Sequence, residues 1–128
     1  MVEITANVNW LAVIVGAIVA YGLGWLWYSP KIFGTKWAEG TGVTMDTSSG
    51  PPMTAMLMQA VGTFLLAWVI GVTAANNALL TAILIVLTIV FLFIAGGLYC
   101  KKSRYAIATE AGYVVVMALV MIVCQGIF

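Results

Sequence analysis

The sequence predicts an all-α, polytopic membrane protein: four transmembrane helices with a short interfacial segment after the first. Three observations predict it. Hydrophobic residues make up 64% of the 128 and charged residues only 7%, against the roughly 25% charged of a soluble domain. That much apolar surface needs lipid as its solvent. Four apolar runs each approach the ~20 residues that a bilayer core requires. Finally, all five Lys and Arg fall in two stretches, Lys31 and Lys36 after the first run and Lys101, Lys102 and Arg104 after the third. The length allows one domain, residues 1–128.

The first span covers about residues 8–28. Asn9 and Trp10 anchor one interface, and Trp25, Trp27 and Tyr28 the other. Within it Ala12, Gly16, Ala20 and Gly24 recur every fourth residue, which aligns four small side chains on one helix face. In lipid, small residues let helix backbones approach closely. The stripe therefore reads either as packing within the chain or as an oligomer interface; we expect a homo-oligomer joined through it. The N-terminal residues carry no positive charge, and the apolar run is longer than a leader's core, so it reads as a retained span.

Proline at position 30 ends the first span. Ser29 as N-cap and Pro30 as first helical residue predict a short interfacial helix from Pro30 to about Glu39. Phe33 and Trp37 then share one face, with Lys31 and Lys36 in reach of headgroup phosphates. Residues 40–52, small and polar with the single acid Asp46, read as a loop.

The second span covers about 53–75. Gln59, Thr63, Ala67, Gly71 and Ala75 line one face, which belongs inside a bundle where Gln59 and Thr63 find hydrogen-bond partners. Asn76 and Asn77 make a tight turn. The third span, about 78–99, is the most uniformly lipophilic and should face lipid most. The fourth covers about 105–126. Charge sets the orientation: both basic loops fall on one side of a four-helix chain. The positive-inside rule puts them in the cytoplasm of an inner (plasma) membrane, with both termini outside.

Composition also narrows the chemistry. A net charge of +1 gives no argument for nucleic acid. Histidine is absent, which removes the commonest metal ligand and general base. Cys100 and Cys124 lie at opposite ends of the bundle, roughly 30 Å apart at 1.5 Å per residue, and read as packing residues. No phosphate-cradling loop follows a strand, and no Ser/His or Cys/His pair is available. The sequence implies no enzyme, cofactor or metal; membrane lipid and further copies of the chain are the partners it implies.

Glu110 is the one acid near hydrocarbon, roughly 7 Å inside the fourth span. Intramembrane acids are functional candidates by default. One reading makes Glu110 an ion or solute site with Tyr113, Gln59 and Thr63. The other pairs it with Lys101, Lys102 or Arg104 near the interface. The cluster Trp25, Trp27, Tyr28, Ser29, Pro30 also has two readings, a cation-binding aromatic cage or an interfacial belt. Three function classes remain: a non-enzymatic assembly or accessory protein, favoured because polar groups in the spans are so few; a small oligomeric channel or transporter using Glu110; and, least supported, a membrane enzyme.

The run Asn9-Trp10, then Gly24-Trp25-Leu26-Trp27-Tyr28-Ser29-Pro30, Phe33-Gly34 and Trp37, resembles a bacterial family of small four-helix integral membrane proteins of unknown function. Its signature is G-x-L-W-Y-S-P-x-x-F-G-x-x-W. Ala111-Gly112-Tyr113 resembles the A-G-Y of that family. This chain departs from the pattern at Glu110, where the family often has Asn or Asp, and at Val114, where it often has His. The resemblance implies the four-helix fold and its topology, and no activity.

Overall fold

The structure is a computed structural model that describes residues 2–29, 32–41 and 53–128. Its elements are helices: α1 Val2–Thr5, α2 Trp10–Trp27, α3 Gly34–Thr41, α4 Met53–Ala75, α5 Leu79–Tyr99 and α6 Arg104–Ile127. Four of them, α2, α4, α5 and α6, are long and apolar enough to cross a membrane. Their bounds fall within two residues of those expected for the four spans. Pro30, Lys31 and most of the loop expected at residues 40–52, Asp46 included, lie outside the described residues.

The helix ends follow from local chemistry. Asn9 caps α2, its side-chain oxygen accepting from the Ala12 N–H at 3.2 Å. Ser103 caps α6 in the same way through the Ala106 N–H at 3.1 Å. Both side chains satisfy an amide that the first turn leaves without a helical partner. The other ends of α4 and α5 close through a left-handed residue. Asn77 has φ 53° and Lys101 φ 58°. Beyond each, an N–H reaches back five residues, from Ala78 to the Thr73 carbonyl at 2.7 Å and from Lys102 to the Gly97 carbonyl at 3.0 Å. That is the Schellman closure, in which Asn is tolerated and Lys is unusual.

Helix α6 is the centre of the bundle. Half of its most apolar stretch is buried inside the protein, against 11% for α5, and it packs on α2, α3, α4 and α5. Val13, Ala20, Ile70, Val114, Met117 and Met121 form the middle of the core. Without a hydrophobic force between apolar helices in lipid, contact depends on close backbone approach. Glycines stand where the helices meet. A Cβ on Gly16 of α2 would lie 3.4 Å from the Cα of Met121, one on Gly71 of α4 would lie 2.6 Å from Val13, and one on Gly97 of α5 would lie 2.5 Å from Ile107.

The stripe of small residues on α2 thus has its partner within the chain. Ala12, Gly16 and Ala20 are buried, and Met121 and Cys124 of α6 cover Gly16. In this chain that face packs against α6, the within-chain packing that the stripe allows, rather than standing open to a second copy. On α4 the expected inner face holds at Thr63, Ala67 and Gly71, all buried; Gln59 instead remains exposed.

At the end of the bundle opposite the basic loops, Trp68 Nε1 donates to the Ile4 carbonyl at 2.7 Å, and the Trp10 and Trp68 rings lie 5.4 Å apart. This pins α1, which no feature of the sequence announces, to α4.

Candidate functional site

Lys36 of α3 and the stretch that carries Lys101, Lys102 and Arg104 meet at one end of the bundle. Of the helix expected from Pro30 to Glu39, the described residues show Gly34–Thr41 as α3, after a turn at Ile32 and Phe33. Pro30 and Lys31, where that helix is expected to begin on Ser29 as N-cap, lie outside the described residues; the Ser29 carbonyl accepts from the Ile32 and Gly34 amides at 3.1 and 2.8 Å. This turn carries Gly34 so close to the Tyr28 carbonyl oxygen that a Cβ would collide with it. Helix α3 then packs on the start of α6. The Ser103 N–H donates to the Gly40 carbonyl at 2.9 Å, and Lys36 Nζ lies 5.4 Å from the centre of the Tyr105 ring.

This docking closes Glu110 in. Lys102 Nζ donates to Oε2 at 2.8 Å and to Oε1 at 3.1 Å, and Trp37 Nε1 donates to Oε2 at 2.9 Å. The Lys102 and Glu110 side chains are 22% and 15% exposed. A part-buried carboxylate with three hydrogen bonds on it, two of them from a cation, is the arrangement that offsets the cost of taking charge out of water.

Aromatic side chains build outward from this knot. Tyr28 stands edge-on between Trp37, at 4.9 Å, and Tyr113, at 5.5 Å. Trp27 packs on Phe33 at 4.7 Å and donates Nε1–H to the Thr109 carbonyl at 3.0 Å. The buried Tyr113 donates its hydroxyl to the Ala20 carbonyl at 2.6 Å. Gly24 makes room for that ring, since a Cβ there would lie 2.5 Å from the phenolic oxygen. Trp27, Tyr28, Phe33 and Trp37 are therefore joints between α2, α3 and α6, whereas Trp25, 64% exposed, projects outward as an interfacial residue should.

Beside the knot lies a cavity of about 560 Å³. Its aromatic walls are Tyr21, Trp25, Tyr28, Trp37, Phe93 and Tyr113, and Glu110, Gln59 and Met56 also line it. Of the residues proposed for an ion or solute site, the structure gathers Glu110, Tyr113 and Gln59 here. Thr63 lies away from the lining, buried, accepting from Gln59 Nε2 at 3.3 Å with its hydroxyl 4.0 Å from Met117 Sδ. Glu110 is ion-paired with Lys102, and it also borders the cavity. Tyr21, whose hydroxyl donates to the Met56 carbonyl at 3.0 Å, was legible, because Tyr21, Trp25 and Tyr28 are spaced i, i+4, i+7 on one helix face. Phe93 carried no signal in a segment apolar on every side.

The family described as "Protein of unknown function (DUF1761)" matches residues 11–126, nearly the whole chain. The chain belongs to the DUF1761 family. No curated protein and no solved structure matches it. In this DUF1761 member no three His, Cys, Asp or Glu side chains among the described residues gather where they could hold a metal ion. The site offers π faces, phenolic oxygens, one amide and one carboxylate. Such groups can position a ligand or lock helices together.

Proposed function

We propose that this protein is a non-enzymatic accessory protein of the inner (plasma) membrane, with its basic end in the cytoplasm and both termini outside. The state of Glu110 carries the reading. The one carboxylate within the spans is paired with Lys102 and held by Trp37, which fastens the end of the bundle. The positive-inside rule supports the orientation. Self-association remains part of the proposal, supported by how little of α5 the chain itself buries; its contact must lie elsewhere than the stripe on α2.

The second reading, a small oligomeric channel or transporter, draws on the cavity that Glu110 borders. Proteoliposomes separate the two. The accessory reading predicts that the purified protein passes protons, Na⁺ and K⁺ no faster than protein-free vesicles. Flux above that level, abolished by Glu110→Gln, would overturn it.

A further inference from the structure

We infer that the cavity beside Glu110 is a binding site for a lipophilic organic cation, admitted from the membrane and held on aromatic faces. This goes beyond the accessory reading and does not depend on it. At about 560 Å³ the cavity falls within the range of small-molecule sites, roughly 300–1,000 Å³. Its walls fix the sign of the charge it favours. Six aromatic rings line it, and among the described residues Glu110 is the only charged one in the lining; Lys102 is not part of it. Aromatic faces attract cations through the ring quadrupole and repel anions.

The hydrogen-bond inventory points the same way. The Tyr21 and Tyr113 hydroxyls already donate to the Met56 and Ala20 carbonyls, and the Trp37 N–H donates to Glu110. A hydroxyl has one proton to give, so Tyr21 and Tyr113 have none left to donate to a ligand. Among the described residues Lys102 is the donor to Glu110 Oε1, and a carboxylate oxygen has room for a further one. The lining thus joins aromatic rings to the Glu110 carboxylate, and both favour positive charge. Trp25 and Phe93, 64% and 45% exposed, stand in spanning helices, so the mouth opens toward lipid and selects molecules that partition there.

Equilibrium dialysis of the full-length protein in phosphatidylcholine nanodiscs tests this with tetraphenylphosphonium, using tetraphenylborate, its near-isosteric anion, as competitor. The expected result is saturable binding of tetraphenylphosphonium, one per chain, that tetraphenylborate does not displace. Trp25→Leu removes one π face at an exposed position with no hydrogen bond to lose; it should weaken binding about tenfold with an unchanged unfolding temperature. Glu110→Gln should weaken it as well. Non-saturable uptake equal to that of empty discs, equal binding of the anion, or an affinity untouched by Trp25→Leu would each overturn the assignment.

Discussion

Glu110 lies six residues after Arg104, the first residue of α6, with Lys102 and Trp37 on its carboxylate. Hydrogen bonds to charged groups contribute about 1.5–3 kcal/mol. Trp37→Phe keeps the ring against Tyr28 but removes the donor, so thermal unfolding in detergent should show a loss of that size; an unchanged midpoint would remove Trp37 from the account. Gly24 gives a sharper comparison. Gly24→Ala drives a methyl group into Tyr113 and should cost about 1–3 kcal/mol, as overpacking does. Gly22, two residues away, faces open space, with nothing within 4 Å of where a Cβ would stand. Gly22→Ala should therefore be neutral or gain up to about 1 kcal/mol of helix propensity. Equal effects at both positions would contradict the packing described. At this scale the sequence identified Glu110 and a cation from the loop before it, because both lie within eight residues. It could not supply Trp37, 73 residues distant, whose approach depends on where α3 begins.

Helices make a different kind of demand. The four spans were legible because bilayer thickness prescribes their length. What the stripe Ala12, Gly16, Ala20 meets was not legible, since a line of small residues serves contact within a chain and between chains equally well. Its burial under α6 gives a definite expectation: Gly16→Leu and Ala20→Leu should destabilise the single chain by about 1–3 kcal/mol or more, without changing the mass of any surviving detergent-solubilised particle. A stable protein of lower mass would instead restore the stripe as a subunit contact. The start of α3 was not legible either. Ile32 and Phe33 form a turn that brings Gly34 against the Tyr28 carbonyl, and α3 begins there. At the end of α5, Lys101 occupies a left-handed conformation that costs a non-glycine residue roughly 1–2 kcal/mol. Lys101→Gly should therefore raise the unfolding temperature while leaving the Lys102–Glu110 pair in place.

For the whole molecule, the central claim is that four helices cross the bilayer with the aromatic and basic end, where α3 docks on α6, on the cytoplasmic side. The two native thiols suit a test, because Cys100 is exposed at that end and Cys124 is buried. In a Cys124→Ala background, a membrane-impermeant maleimide reads the side of Cys100. Lys36→Cys in a chain lacking both native thiols reads the side of α3. The account predicts that both positions label in inverted inner-membrane vesicles and neither in intact spheroplasts. Labelling of Cys100 and of Lys36→Cys from opposite faces would contradict it.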